Sequence, residues 1–400
     1  MNEYPIIYLN SNDGSGILAF GEGAVFVKEE GTSIEDMQAF IDAHAGEYLF
    51  GHLGYDLKNE FYSLTSSNPD KLNFPDAFLW VPKYVVKMYK EHFDFLQGEK
   101  NTESFDFLNY FLEEETDQNF HHHNYAFKAR ISKEEYIEKV IKLKNHIQQG
   151  DIYEVNFCQE FYAEDAEMNF PMDTYFRLNE LTHAPFSSFY QFGDYAAFCG
   201  SPERFLKKEG SRLISQPIKG TAPRGATPEE DELLKNSLKN DPKERAENTM
   251  IVDLVRNDLS RVAQKDSVKV DEYCEIYSFD TVHQMISTVS CEVRPEVNFT
   301  DVLRATFPMG SMTGAPKLRA MELIEENEAF KRGLYSGSIG YIAPNGDFDF
   351  NVVIRTLLYN GENRYLSCSV GGAITIQSDP EKEYEECMVK VKRILDGMNG

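Results

Sequence analysis

The sequence predicts an α+β fold, in which helices and strands mix without the regular alternation of a doubly wound sheet. Three observations support this. N-cap signals open several long helices, strand-like runs lie between those helices, and residues 1 to about 112 consist of short strands and turns. With 400 residues, of which 42% are hydrophobic and 26% charged, the chain can build one large two-lobed domain or two domains.

Near the N-terminus, two short apolar runs predict a hairpin. They cover residues 6–9 and 17–20 and flank a turn-forming segment at 12–16. The glycine spacing in this segment formally matches a dinucleotide fingerprint, which should follow a strand and open a helix. Because the glycines lie between two strands, we predict a hairpin there and no nucleotide site.

The polar stretch from Glu113 to Asn124 is the best linker candidate. It contains three adjacent histidines, 121–123, which cannot all converge on one metal ion from a helix or strand. We therefore interpret them as part of a solvated linker. The expected division is an N-terminal lobe over residues 1–118 and a second domain over residues 128–398.

Four helices in the second part carry clear start signals. A capping box at Ser132 opens a helix that runs towards Gly150, and Thr227 and Asp241 each precede a proline with a glutamate at the third helical position. The last helix begins after Asp379. Its predicted core stripe consists of Tyr384, Cys387, Met388, Val391, Leu395 and Met398. Strand-like runs include residues 336–342, 348–359 and 365–376.

The charge balance excludes several classes of partner. A formal net charge of −26 argues against nucleic-acid binding and against docking on an anionic membrane. No signal peptide is visible, and no apolar run is long enough to span a bilayer. The six cysteines form no Cys-x-x-Cys pair, which indicates reduced thiols in a cytoplasmic protein.

Lys219 lies in a segment punctuated by proline and glycine, residues 216–225, which predicts a loop. The apolar Pro217 and Ile218 would lower the pKa of this lysine by desolvation and leave a neutral, nucleophilic amine. The alternative is an ordinary loop lysine that donates to a turn carbonyl.

Two pairs of glutamates occur at i, i+3 spacing on predicted helices: Glu244 with Glu247, and Glu383 with Glu386. This spacing puts both carboxylates of a pair on one helix face. Two such helices facing each other would offer Mg²⁺ the oxygen ligands that it prefers. Taken alone, each pair would be a feature of a solvated helix surface, since glutamate is common on helices.

Six ordered segments between residues 128 and 398 resemble motifs of the chorismate-utilising enzymes. They include the signature helix at 244–259, the segment 370–374 followed by 383–386, and the Gly-rich loop at 308–317. Pro-Ile-Lys-Gly-Thr at 217–221 resembles the signature of the aminodeoxychorismate synthase component I branch. Related anthranilate synthases carry a small residue in place of the lysine. The resemblance implies a two-lobed β-sandwich core covered by helices, with residues 128–398 as the chorismate-binding catalytic domain.

The resemblance also implies roles for individual residues. Lys219 would be a covalent nucleophile and Glu203 the general acid. Glu247 and Glu386 would bind Mg²⁺, with Glu244 and Glu383 as support. The implied substrate-binding positions are Arg355, the backbone of Gly371, Gly372 and Ala373, and, less directly, Tyr335, His283 and Ser311.

The implied reaction converts chorismate and ammonia to 4-amino-4-deoxychorismate in folate and p-aminobenzoate biosynthesis. None of the cysteines lies in a Gly-x-Cys-x-Gly elbow for glutamine hydrolysis, so a separate glutamine amidotransferase subunit is the expected source of ammonia. Where isochorismate- and salicylate-forming relatives keep a water-activating lysine, this chain has Glu154. The alternatives are anthranilate synthase component I and, from another class, a non-catalytic ligand-binding or regulatory subunit.

Overall fold

The computed structural model describes residues 4–116, 124–280 and 282–399. Twenty-one strands and ten α-helices lie within these residues. In chain order they are β1 Ile6–Asn10, β2 Ser15–Phe20, β3 Val25–Val27, β4 Leu49–Leu53, β5 Ala77–Trp80, β6 Tyr84–Tyr89, β7 Phe93–Gln97, β8 Lys128–Ala129, β9 Glu154–Ala163, β10 Phe186–Phe192, β11 Tyr195–Ser201, β12 Arg204–Glu209, β13 Arg212–Gln216, β14 Ile218–Pro223, β15 Lys269–Ser278, β16 Val282–Glu292, β17 Gly314–Ala315, β18 Ser338–Ile342, β19 Phe348–Asn351, β20 Thr356–Asn360 and β21 Tyr365–Ile374.

Helices cover the outer faces of the sheets. In chain order they are α1 Ile34–Ala43, α2 Lys58–Tyr62, α3 Thr102–Thr116, α4 Lys133–Gln149, α5 Pro171–Thr182, α6 Pro228–Asn240, α7 Pro242–Ser260, α8 Phe299–Thr306, α9 Lys317–Asn327 and α10 Pro380–Met398, with short 3₁₀ turns at Tyr55–Leu57 and Gly310–Met312. Across the described residues, no helix is both long enough and apolar enough to cross a membrane.

The strands form two antiparallel sheets. The first has the order β17-β9-β21-β20-β11-β10-β1-β2-β6-β7, and β8 also pairs with β9. The second has the order β14-β16-β13-β12-β19-β18-β4-β5-β3, and β15 also pairs with β16. Strands from before residue 116 and strands from after residue 124 are therefore hydrogen-bonded within both sheets. The division between residues 118 and 128 stays a prediction.

Side chains of the first sheet point alternately into two hydrophobic cores, one on each face of the sheet. Ile7 belongs to a core between the sheets, together with Phe50 and Leu79 of the second sheet. Its neighbour Ile6 belongs to a core on the opposite face, which includes Tyr136 of α4. This alternation is the period-two pattern of a strand that is buried on both faces. Helices, strands and two antiparallel sheets together confirm the predicted α+β class.

The sequence signals for turns and helix starts agree with the structure. β1 and β2 pair as the predicted hairpin. Ser132 closes a capping box on α4, and Gly150 ends that helix in the left-handed conformation. Asp379 caps α10 in the same side-chain-to-backbone manner as Asp241 caps α7. These two helices carry the glutamate pairs.

Three expectations about local structure outside the candidate site are wrong. Residues 1 to about 112 do not consist only of short strands and turns, because α1, α2 and most of α3 lie there. The apolar run 348–359 is not one strand, because it is split at 352–355 into β19 of the second sheet and β20 of the first. Glu113 to Thr116 belong to α3 rather than to a linker. The remainder of that candidate linker, residues 117–123 with the three histidines, lies outside the described residues.

Candidate active site

Lys219 lies on strand β14, and not in a loop as the proline and glycine pattern predicts. The pairing of β14 with β16 is irregular between Ile218 and Thr221, where Gly220 has a φ of +89°. A bulge of this kind redirects a side chain away from the regular alternation. Lys219 is only 9% exposed, and its Nζ donates a hydrogen bond of 2.8 Å to Glu154 Oε1.

The expected neutral amine is also not what this geometry favours. Burial disfavours the ammonium form of Lys219, but Glu154 and then Glu247 outweigh burial and raise its pKa above the ordinary value. Glu154, at the start of β9, is itself buried. Lys219 is therefore held as an ammonium ion against a buried carboxylate.

Glu203 lies in the turn between β11 and β12 and is 5% exposed. Its backbone is fixed on both sides: its N–H donates to Ser201 Oγ, and its carbonyl accepts from Val352 N–H. Burial raises the pKa of Glu203 to about 7, although the Ser311 hydroxyl and the Lys219 ammonium favour the carboxylate. A carboxyl that keeps its proton near neutral pH can act as a general acid.

The four glutamates of the two pairs lie at facing positions of α7 and α10. Lys243 Nζ lies 3.8 Å from Glu247 Oε1 and 3.6 Å from Glu383 Oε1, and thus bridges the two helices. Glu386 Oε1 lies 2.7 Å from Lys390 Nζ. Lysines thus neutralise part of this acidic cluster.

The carboxylates can be tested for their fit to Mg²⁺. Within the described residues, no group of three or more acidic, histidine or cysteine side chains is arranged to hold a metal ion. Mg²⁺ needs only one or two protein carboxylates, because it keeps water and takes substrate oxygens. Glu247 is 7% exposed, and its Oε1 has no hydrogen-bond partner among the described residues. Burial raises the pKa of Glu247 to about 7. This oxygen accepts no hydrogen bond, and Lys243 Nζ approaches it only to 3.8 Å, so Glu247 with Glu386 fits a Mg²⁺ ion.

A cationic cleft lies beside β14. It is lined by Thr221, Pro202, Arg355, Lys390 and Arg393. Arg355 forms no ion pair in the described part of the chain, and burial lowers its pKa. The sequence predicts a strand at Arg355, but the residue lies in the break between β19 and β20 with a φ of +53°. A half-buried guanidinium without an ion-pair partner is costly, and a carboxylate ligand would relieve that cost.

Gly371, Gly372 and Ala373 belong to β21 at a point where one edge of this strand is open. They pair with β9, whereas pairing with β20 ends at Cys368. A side chain at Gly371 would collide with the Cys158 sulfur, because an added Cβ would lie 2.4 Å from it. The Gly371 carbonyl accepts a hydrogen bond of 3.2 Å from Lys390 Nζ. This backbone therefore borders the same cluster as Glu386.

The three less direct substrate positions have different surroundings. Both ring nitrogens of His283 are used by the protein, one with Ser278 and the other with Asp231. Tyr335 is 3% exposed and close enough to Arg355 to affect the pKa of the guanidinium. Ser311 lies near Glu203, but its buried Oγ makes no hydrogen bond of normal geometry within the described residues. Tyr335 and Ser311 thus lie near residues of the candidate site, whereas the His283 ring is engaged by Ser278 and Asp231. The substrate-binding roles of all three stay predictions.

Some residues of the site were missed from the sequence. Glu154 was noted only as a departure from a pattern, and Lys243, Lys390 and Arg393 were not singled out. The i, i+4 spacing of Glu386 and Lys390 is a signal that would have predicted their ion pair.

The site agrees with what is found when the chain is compared with known proteins. The sequence profile of a family described as chorismate binding enzyme matches residues 4–396. The chain belongs to this family. Among chorismate binding enzymes, a solved structure titled anthranilate synthase component I, from Streptococcus pneumoniae, superposes with a TM-score of 0.82 at 29% identity, over 95% of this chain and 92% of that one. The predicted fold of this family is confirmed.

Two curated members have higher sequence identity over a shorter region. The aminodeoxychorismate synthase component 1 of Klebsiella aerogenes is 43% identical over 270 residues, which are 68% of this chain and 59% of that protein. The protein of the same name from Escherichia coli is 42% identical over 269 residues, 67% of this chain and 58% of that protein. The chain thus matches a little under six-tenths of the length of these curated relatives.

Proposed function

We propose that the chain converts chorismate and ammonia to 4-amino-4-deoxychorismate, with Lys219 as a covalent nucleophile. The observation that carries the proposal is the buried Lys219 amine, which lies beside a carboxyl that holds its proton near neutral pH, Glu203. The relatives that share about two-fifths of their aligned residues with this chain are named for the same reaction.

The cationic cleft supplies the binding energy for a dianionic substrate. Arg355 offers a planar guanidinium to one carboxylate, and the open edge of β21 at Gly371 to Ala373 offers backbone groups beside it. Glu247 and Glu386 would hold Mg²⁺, supported by Glu244 and Glu383. The metal would neutralise the substrate's other carboxylate, which lets an acidic protein accept an anion.

Two residues carry the chemistry. The Lys219 amine attacks C2 of the ring, and the ring double bonds shift towards C4. Glu203 donates its proton to the C4 hydroxyl, which leaves as water. Ammonia then adds at C4 and expels the lysine, so that the ring regains its original pattern of double bonds.

Three parts of the proposal concern the setting of the reaction. A separate glutamine amidotransferase subunit would deliver the ammonia, and residues 1–118 would form the N-terminal lobe of a component I enzyme. The reaction would take place in the cytoplasm, which is supported by six cysteines that are all free thiols.

Product analysis tests this function. The purified chain is incubated with chorismate, Mg²⁺ and an ammonium salt at a pH that supplies NH₃, and the product is identified by chromatography. We expect 4-amino-4-deoxychorismate from the parent and its loss in Lys219→Ala. Anthranilate as the main product would favour the alternative, anthranilate synthase component I, and absence of any turnover would favour a non-catalytic subunit. Glutamine should replace ammonium only when an amidotransferase is added.

A further inference from the structure

The proposed reaction requires a neutral amine at Lys219, yet the structure holds this side chain as an ammonium ion. Lys219 and Glu154 form an ion pair of 2.8 Å, with side chains that are only 10% and 1% exposed. Bulk water has little access to either group, and bound substrate would reduce that access further. A proton must nevertheless leave the lysine before its lone pair can attack carbon.

We propose that Glu154 is the general base of this site, which takes a proton from Lys219 Nζ and returns it at the end of the cycle. The inference rests on the proposed function. The geometry meets the first requirement for a general base, since its Oε1 is already within hydrogen-bond distance of the proton that it would accept.

The other charged groups around Lys219 do not meet this requirement. Carboxylates face it from three further elements: Glu203 in the β11–β12 turn, Glu244 and Glu247 on α7, and Glu386 on α10, with Lys243 as an additional cation. In the described part of the chain, none of them makes a hydrogen bond to Lys219 Nζ. Glu203 is moreover needed in its protonated form for the leaving hydroxyl.

The backbone around Glu154 fixes this carboxylate in place. Glu154 pairs with Ala315 of β17, and its neighbour Val155 pairs with Ile374 of β21, so strands on both sides hold the start of β9. The second oxygen, Oε2, is buried and has no hydrogen-bond partner among the described residues. The Lys219 ammonium is thus the one hydrogen-bond donor to this carboxylate among the described residues.

The step balances in atoms and charge. The proton moves from Nζ to Oε1, the freed lone pair forms the bond from nitrogen to C2, and the C4–O bond breaks with the Glu203 proton on the departing oxygen. When ammonia adds at C4, the lysine leaves as a neutral amine and recovers its proton from Glu154, and the new C4 ammonium group gives up the proton that restores Glu203. The transfer converts an ion pair into a neutral pair, so the net charge beside the substrate does not change.

The test is the pH dependence of adduct formation between Lys219 and chorismate, measured in single turnovers by quenching and mass spectrometry. Ammonia is left out, because its own protonation would alter the profile. In the parent, the proton moves within the site, so the rate should not rise with pH between about 6 and 7. In Glu154→Gln, the lysine must lose its proton to solvent. Its rate should be about 10²-fold lower at neutral pH and rise roughly tenfold per pH unit between about 6 and 7, above which loss of the Glu203 proton offsets the rise.

The matched control is Glu160→Gln, the same substitution at another buried position of β9. Glu160 contacts Arg130 and Tyr365 and lies away from the lysine, so this variant should lose stability but keep the parent's pH profile. As a second variant, Glu154→Ala should regain adduct formation when formate is added, since formate can occupy the space and accept the proton.

A Glu154→Gln variant with the parent's rate and profile would overturn the inference, and so would a Glu154→Ala variant that formate does not rescue. The proposed function would still stand in either case, because the parent would still form its adduct. If the parent itself forms no adduct and no aminated product, it is the proposed function that fails.

Discussion

Two groups of buried charges lie against the same strand, β9, and they differ in how completely they are satisfied. Arg332 and Glu328 form a bidentate pair, and the remaining guanidinium donors reach the Met312 and Asn156 carbonyls. Glu328 also accepts from Cys158 N–H. Every strong donor and acceptor of this pair has a partner, as expected of a structural network.

The second group contains Lys219, Glu154, Glu247 and Ser311. One oxygen in each of the last three is buried without a hydrogen-bond partner among the described residues. Such atoms cost free energy in the absence of a ligand. The comparison teaches that burial of charge does not identify the site by itself, whereas buried charge with unused hydrogen-bonding capacity does. The satisfied pair joins the Gly-rich loop to β9 and thereby supports the unsatisfied group.

The largest effect is expected at Glu203. Because its pKa is raised to about 7, its catalytic proton is present below this pH and is lost as the pH rises through it. The rate of the first step should therefore fall above about pH 7. Glu203→Gln cannot deliver a proton and should lower kcat by ~10²–10⁴-fold. Steady-state kinetics measure this, with Glu209→Gln on the adjoining strand as the control. Full activity in Glu203→Gln would show that Glu203 is not the general acid.

Breaking the Arg332–Glu328 pair should lower the free energy of unfolding more than it affects the catalytic step. Glu328→Gln leaves the buried guanidinium of Arg332 without its anion, which should cost about 3–5 kcal/mol of unfolding free energy. Denaturant unfolding measures this loss. Glu326→Gln, at an exposed position of α9 two residues before Glu328, should change stability by less than about 0.5 kcal/mol. Equal stability of the two variants would contradict the structural role of the pair.

In the second group, which contains Glu247, removing a charge should raise the free energy of unfolding instead of lowering it. The folded-state pKa of Glu247 is raised to about 7 from 4.5, so its ionisation lowers stability as the pH rises through this range. Glu247→Gln should therefore stabilise the metal-free protein at pH 8 by up to about 2–3 kcal/mol while weakening activity.

Thermal unfolding with and without Mg²⁺ sharpens the Glu247 prediction. The metal should stabilise the parent at pH 8 but have much less effect on Glu247→Gln, because it binds the folded state through that carboxylate. Asp253→Asn on the exposed face of α7 should respond like the parent. Identical Mg²⁺ responses in all three proteins would place the metal elsewhere.

Local signals in the sequence predicted much of the fold. Capping residues such as Ser132 and Asp379 mark helix ends through contacts within a few residues, so no tertiary structure is needed to recognise them. The split of the run 348–359 could not be predicted this way. Its apolar residues suit either sheet, and the change of sheet depends on pairing partners that are distant in the chain.

The candidate site likewise contains features that could be predicted from the sequence and one that could not. Glu247 and Glu386 were predicted from helix spacing together with family motifs, but the ionic state of Lys219 was not. Its charge depends on Glu154, which is 65 positions away along the chain and lies in the other sheet. Desolvation by Pro217 could be inferred from adjacent residues, whereas the stronger effect of a facing carboxylate required the tertiary structure.

Intact-mass and peptide mass spectrometry of the parent chain, incubated with chorismate and Mg²⁺ and without ammonia, tests the central claim most directly. The account predicts a covalent adduct that carries the mass of chorismate less one water, located on Lys219 and discharged when ammonia is added. Lys219→Ala should show no adduct. Formation of 4-amino-4-deoxychorismate at the full rate by Lys219→Ala, or an adduct on another residue of the parent, would contradict the account.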